Sequence, residues 1–249
     1  MTPTQKSTRV QEGVAAVLAF IAGYIDAYAL LNYNVYASFM SGNTTQTGLH
    51  TGRWRLAEAG HSLLPIPAFV IGGFVATLLV AEKPPHPLRR LCGLVAALLS
   101  VSLAAAYLDP LAGWFGIILL SMAMGVMNTV LDHVGKQAVR IGFVTGDLLG
   151  LGGHLAQAIR RLPLSDSQGA WDTHSWRAAL LVRVWSSFLT GAMLSGAGTG
   201  YLGHWILLPP ALILLVVAVC DRDTRVSALP NQACSERVAG PRPRKIDRS

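Results

Sequence analysis

The sequence predicts an all-α polytopic membrane bundle of about six spans, built as two inverted three-helix repeats that each contain a broken, re-entrant segment. Three observations predict it. Charged residues make up 13% of the chain and hydrophobic residues 52%, with a mean hydropathy of +0.44; a soluble domain carries about 25% charge. Apolar stretches at 14–33, 62–81, 91–108, 111–131, 178–198 and 203–220 approach or reach the roughly 17–25 residues needed to cross a bilayer. A short phrase is also written twice. Phe39-Met40-Ser41-Gly42-Asn43 returns as Phe143-Val144-Thr145-Gly146-Asp147, and a histidine follows each copy, His50 and His154.

The chain opens with Lys6 and Arg9 ahead of an apolar run, as a signal peptide would. That run is long for a signal sequence, contains Asp26, and has no small-residue cleavage site after it. It reads as an uncleaved first helix behind a cytoplasmic segment, 1–12. A single transmembrane domain follows over 13–220, with repeat one at 13–108 and repeat two at 111–220. Residues 221–249 hold seven Arg/Lys against four Asp/Glu, among prolines and polar residues. Such a segment buries too little apolar surface to offset the entropy of ordering, and its charge suits the anionic cytoplasmic leaflet. A basic, disordered cytoplasmic tail is expected, and the net charge of +7 gives no reason to invoke nucleic acid. Cys92, Cys220 and Cys234 show neither metal spacing nor a disulfide framework. No metal or cofactor is expected.

Charge decides how the repeated segments, about 40–52 and 143–159, meet the membrane. If both crossed, giving eight spans, seven Lys/Arg would lie inside and five outside, with no bias. If both enter and return, Lys6, Arg9, Lys83, Arg89, Arg90, Lys136, Arg140, Arg160, Arg161 and Arg177 are inside, and Arg53 and Arg55 alone are outside. Ten against two satisfies the positive-inside rule. The connections at 109–110 and 199–202, free of Lys and Arg, then fall outside. Three crossings per half is an odd number, so the second half inserts upside down. The two broken segments enter from opposite faces and their tips approach near the midplane, as in inverted-repeat transporters.

The duplication extends beyond the motif. At an offset of 104, Phe39, Gly42, Gly48 and His50 fall on Phe143, Gly146, Gly152 and His154. At an offset of 102, Gly23-x-x-Asp26 falls on Gly125-x-x-Asn128, and downstream Phe69-x-x-Gly72 falls on Phe188-x-x-Gly191. The stretch Gly23-Tyr24-Ile25-Asp26-Ala27, followed by Phe39-Met40-Ser41-Gly42-Asn43-Thr44-Thr45 and Gly48, resembles the signature of the YoaK-like bacterial membrane proteins. The resemblance runs to about residue 220. It implies a bacterial inner-membrane protein with about six spans, and it brings no substrate or activity with it.

Asp26 lies just past the middle of the first apolar stretch. An acid at that depth costs roughly 2.5–3.5 kcal/mol on insertion scales, so it should face the interior, be paired, or be protonated. Aligned by the repeat, the halves are complementary: Asp26 with Asn43 in one, Asn128 with Asp147 in the other. A midplane cluster of two acids and two amides would bind a cation, a proton or a polar solute. Asn43 and Asp147 could equally N-cap the helices after them, and the two roles are compatible. Gly42 and Gly146 are expected to permit a turn or a close backbone approach. Free N–H groups near Thr44 and Thr45 could hold an anion, which Asp147 would oppose in the second copy.

His50 and His154 titrate in a useful range but read more simply as structural. Arg183 is expected to snorkel to the inner interface, with pairing to a carboxylate such as Asp147 as the alternative. Gly72-Gly73, Gly191, Gly196, Gly198 and Gly200 suit close helix contact. Trp54, Trp114, Trp171 and Trp205 suit interfacial anchoring.

These residues point to a small-solute transporter, with proton coupling through Asp26 and Asp147. Its partners would be the lipid bilayer and a small molecule or ion; self-association stays open. The alternatives are a channel or passive facilitator, and a non-transporting scaffold or sensor. An enzyme would need a nucleophile, metal or nucleotide motif that the sequence does not show.

Overall fold

The computed structural model describes residues 3–82, 84–108 and 113–220. The expected tail, the 109–110 connection and Lys83 lie outside these residues. The helices are α1 (Pro3–Tyr33), α2 (Met40–Gly52), α3 (Leu56–Leu63), α4 (Pro65–Ala81), α5 (Pro87–Leu108), α6 (Gly113–Met127), α7 (Val144–Ile159), α8 (His174–Leu202) and α9 (Leu208–Cys220). A 3-10 turn, Gly203–Leu207, joins the last two.

Every expected apolar stretch is helical over most of its length. Among the described residues, Thr4–Tyr33, Leu56–Ala81, Pro87–Leu108 and His174–Cys220 are long and apolar enough to cross a membrane, and Gly113–Met127 is a shorter apolar helix. Local chemistry sets the boundaries. Pro65 and Pro87 begin helices, where a missing N–H costs nothing. The Thr173 side chain caps α8 by accepting from the Trp176 N–H at 3.2 Å. Gly203, at φ +53°, ends α8 in the left-handed region that glycine tolerates best. The 199–202 connection expected from charge is therefore the last turn of α8. At the other end of the chain, α1 runs unbroken through most of the expected N-terminal segment.

One element departs from the all-helical expectation. Beyond α6, His133–Val134 (β1) pairs antiparallel with Gln137–Ala138 (β2) across a two-residue Gly135-Lys136 turn. Gly135 has φ +61°, as primed hairpin turns require. Its N–H donates to Gln11 Oε1 at 2.9 Å, pinning the hairpin to α1.

Two helix pairs form the centre, α1 with α8 and α4 with α6. Successive contacts along α1, from Glu12 to Arg183, Gly23 to Phe188 and Tyr28 to His204, ascend both helices together. These two helices therefore run parallel. Likewise His61 meets Trp114, and further along Gly72 meets Met122, so α4 and α6 run parallel. The end of α1 at Tyr33 reaches the start of α6 at Gly113 and Gly116, so the two pairs point in opposite directions. The N-termini of α1 and α8 share one face of the bundle with the hairpin; Tyr33, His61, Trp114 and His204 gather at the other.

Glycine allows both pairs to approach at backbone distance. A Cβ on Gly23 would collide with the Phe188 backbone, and one on Gly191 with the Phe20 backbone. In the other pair, Gly125 meets the Phe69 backbone and Gly72 the Met122 backbone. Gly196 and Gly200, expected to serve the same purpose, have nothing within 4 Å, and Gly198 meets the side chains of Ile206 and Leu202.

Arg183 pairs with a carboxylate, the second of its two expected courses, but the partner is Glu12 and not Asp147: its Nη1 donates to Glu12 Oε2 at 2.5 Å. Between α7 and α8, Arg177 binds Asp172 through Nε at 2.9 Å and Nη2 at 3.0 Å, with Asp166 alongside. Arg177 and Asp172 are both buried. Burial alone would raise the Asp172 carboxyl, but the Arg177 hydrogen bonds and the Gln168 N–H outweigh it and hold Asp172 below its ordinary value. Of the expected aromatic anchors, Trp54 is almost fully exposed, Trp114 stacks edge-on to His61, Trp171 to Trp176, and Trp205 leans on Tyr107.

Gly23→Ala and Gly191→Ala should each lower stability in detergent by about 1–3 kcal/mol through overpacking, while Gly196→Ala should be neutral or slightly stabilising; thermal unfolding of the three variants checks this. Asp172→Ala should cost about 3 kcal/mol by leaving the buried Arg177 charge underpaired. Because Asp172 is held below the usual ~3.9, its contribution should be complete above that pH and lost as pH falls through the depressed value. Unfolding of wild type and Asp172→Ala between neutral and acid pH should therefore converge only at the acid end.

Candidate functional site

Two non-helical stretches, 34–39 between α1 and α2 and 139–143 before α7, run back into the bundle to Asp26 and Asn128. Backbone unwound there exposes N–H groups that need partners inside the protein. The four complementary acids and amides supply them, in matching fashion. Asp26 Oδ1 accepts from the Ser38 N–H at 2.7 Å and Oδ2 from the Ser38 hydroxyl at 2.5 Å. Asn128 Oδ1 accepts from the Gly142 N–H at 3.0 Å, while its Nδ2 donates to the Met124 carbonyl at 2.9 Å. Asn43 Oδ1 accepts from the Tyr36 N–H at 3.0 Å, and its Nδ2 donates to the Tyr36 carbonyl at 2.7 Å. Asp147 Oδ1 accepts from the Arg140 N–H at 3.4 Å, a longer contact. Tyr36 precedes Asn43 by the same seven residues that separate Arg140 from Asp147.

Asn43 and Asp147 are not the N-caps that Ser-Gly-Asn and Thr-Gly-Asp suggested. The cap positions are Phe39 and Phe143, four residues earlier in each case, and neither makes a side-chain cap bond. Both polar residues sit inside the first turn and reach backwards to the loop. Gly42 and Gly146 have ordinary helical backbones; no turn needs them. A Cβ at either would strike the ring of Phe39 or Phe143. The repeated Phe-x-x-Gly thus folds an aromatic ring over a glycine at the start of each broken helix. Since α2 starts at Met40, Thr44 and Thr45 lie within the helix, with hydroxyls donating back to Met40 and Ser41 carbonyls at 2.8 and 3.0 Å. The free N–H groups expected there for an anion are absent.

The histidines do not meet. His50 sits in the last turn of α2, and its Nδ1 is buried without a partner among the described residues. His154 bridges Gln137 Oε1 at 2.7 Å and His174 Nδ1 at 2.9 Å, tying α7 to the hairpin and to the start of α8.

A cavity of about 460 Å³ opens between the two unwound segments. Its walls are one face of α1 (Gly23, Asp26, Ala27, Leu30), Tyr36 and Phe39 from the first loop, Gly142–Thr145 from the second, and Trp185, Phe188, Leu189 and Ala192 from α8. Of the residues singled out in the sequence as a site, Asp26 alone lines it. Asn43, Asn128 and Asp147 tie down the loops beside it, and Gly42 and Gly146 lie under two of its rings; Thr44, Thr45, His50 and His154 make no contact with it. The aromatic walls were missed, although Phe39 and Phe143 head the repeated phrase and Phe188 belongs to the repeated Phe-x-x-Gly.

Residues 14–220 match the family described as protein of unknown function (DUF1275). The chain belongs to this family. Two relatives are 26% identical to this chain: the UPF0700 transmembrane protein YoaK of Bacillus subtilis (strain 168), over 142 residues, and the UPF0700 transmembrane protein RA0705 of Rhizobium meliloti (strain 1021), over 222 residues. The first match covers 55% of this chain and 63% of YoaK, less than two thirds of that relative; the second covers 86% and 89%. No solved structure matches. The apolar helices and these transmembrane relatives together support a membrane protein.

Proposed function

We propose that this protein is a small-solute transporter of the bacterial inner membrane, with six crossings arranged as two inverted repeats and both termini in the cytoplasm. The observation that carries the reading is the cavity between the two broken segments, bordered by Asp26 and by backbone from both halves.

The duplicate contacts support the repeat. Gly23 on Phe188 and Gly125 on Phe69 are one contact with the halves exchanged, as are Gly191 on Phe20 and Gly72 on Met122. The opposed directions of the two helix pairs suit an inversion. Residues 174–220 span 47 positions, at about 1.5 Å per residue far more than one ~30 Å crossing, and they break at Gly203; two crossings fit. α2 and α7, with 13 and 16 residues, are about 20 and 24 Å long and begin half-way along the bundle. They suit segments that enter and return.

The two halves also serve as controls for one another. An amide at Asn128 ties its loop as the acid at Asp26 does, so the tie itself needs no charge. What Asp26 adds is a carboxylate inside the membrane, which is costly unless used. The converse holds at the other pair. Asn43 both accepts from and donates to the Tyr36 backbone. Asp147 can match that donor only when protonated, so a proton there would tighten the clip on Arg140. Proton coupling through Asp26 and Asp147 follows from these two substitutions.

In proteoliposomes loaded with a pH-reporting dye and challenged with a panel of small solutes, solute-driven proton movement should fall about tenfold or more in Asp26→Asn, with insertion and unfolding temperature retained. Unchanged movement would remove Asp26 from the mechanism, and solute flux indifferent to a proton gradient would make the protein a passive facilitator. A cysteine replacing Arg55 should react with a membrane-impermeant maleimide from the periplasmic side; labelling from the cytoplasm alone would end the inverted arrangement.

A further inference from the structure

We infer, resting on the transport reading above for its location, that the cavity takes an organic cation with an apolar or aromatic body, entering sideways from the bilayer. Its walls are mostly ring and hydrocarbon: Tyr36, Phe39, Phe143, Trp185 and Phe188 surround the Asp26 carboxylate. Among the described residues, no Lys, Arg or His lines it. The hydrogen bonds to Asp26 come from neutral donors, the Ser38 N–H and hydroxyl. A carboxylate offers about four acceptor positions, so acceptor capacity remains for a ligand.

The positive ends of the broken helices would favour an anion, and the balance goes against it. α7 presents Val144 and Thr145 to the cavity, but carries Asp147 in its own first turn. α2, which has no such acid, contributes only its cap residue, Phe39. The field at the cavity is therefore set by Asp26. An anion meets repulsion there, and a sugar finds too few polar partners among the rings. An organic cation meets a carboxylate and aromatic faces, which attract cations by about 0.5–2 kcal/mol each. The volume lies within the roughly 300–1,000 Å³ of ordinary small-molecule sites.

The mouth sets the route. Phe39, Phe143, Trp185 and Leu189 line the cavity and are among the exposed large apolar residues of the bundle. They stand level with Gly23 and Phe188, half-way along α1 and α8. At that depth the surroundings are hydrocarbon, so a solute arriving there has already partitioned into the bilayer.

Three probes of one shape isolate the sign of the charge: benzyltrimethylammonium, its uncharged isostere neopentylbenzene, and the anion benzylsulfonate. Binding of each, isotopically labelled, to the full-length protein in nanodiscs is measured against empty nanodiscs. Saturable binding is expected for the cation and for neither of the others. Asp26→Asn should weaken it about tenfold and Trp185→Ala about two- to fivefold. Equal or tighter binding of the sulfonate or the neutral isostere overturns the inference, and this comparison needs no variant to fold. So does cation binding indifferent to a folded Asp26→Asn. If the cation does not bind but proton-coupled flux of another solute is found, the substrate class fails and the transport reading stands. If the cation binds and no flux of it follows in proteoliposomes, the class stands and transport fails.

Discussion

Unwound backbone in a hydrocarbon environment has to find its hydrogen bonds within the protein, and the rest of this architecture follows from how that demand is met. Four side chains meet it. Asp26 and Asn128 reach from a helix to the loop that follows it; Asn43 and Asp147 reach back from a broken helix to the loop that precedes it. Each loop is thus held from both sides. An unpaired N–H at this depth would cost several kcal/mol, so these ties are what make a cavity in the middle of an apolar bundle affordable at all.

The second constraint is proximity. Lipid tails are as apolar as leucine, so helices in a bilayer gain little from burying hydrocarbon and associate through close packing instead. Gly23, Gly191, Gly72 and Gly125 remove the side chain where α1 meets α8 and α4 meets α6. The same glycines set the shape of the site. Gly23 and Phe188, which touch through the backbone, both line the cavity, so a backbone-distance helix contact forms part of its wall.

Polar chemistry away from the cavity gathers at the face that holds the N-termini of α1 and α8. Glu12 with Arg183, Asp172 with Arg177, and His154 with Gln137 and His174 connect α1, the hairpin, α7 and α8 there. The opposite face is held by rings, with Tyr28, Tyr107, Trp205 and His204 in one cluster and His61 with Trp114 in another. The broken helix α7 is therefore fastened at its far end by hydrogen bonds, and its near end is fastened by Asp147.

What the sequence determined by itself is whatever depends on local composition and on repetition. Apolar length places the helices, because a bilayer demands runs of a given size, and the doubled phrase marks both interruptions and the complementary acids and amides. The hairpin at 133–138 was legible only as a Gly-Lys turn, too short to outweigh the apolar run before it. Tertiary structure decided which of those residues face the cavity. Asn43, Asn128 and Asp147 look like ligands when read along the chain, yet they turn to the loop backbone, because an unwound N–H nearby competes for them more strongly than an open space. Phe143, Trp185 and Phe188 look like packing or lipid-facing residues, yet they wall the cavity, because α8 crosses beside both loops. The partner of Arg183 was likewise invisible, since Glu12 lies 171 residues away and only the parallel course of α1 and α8 brings the two together.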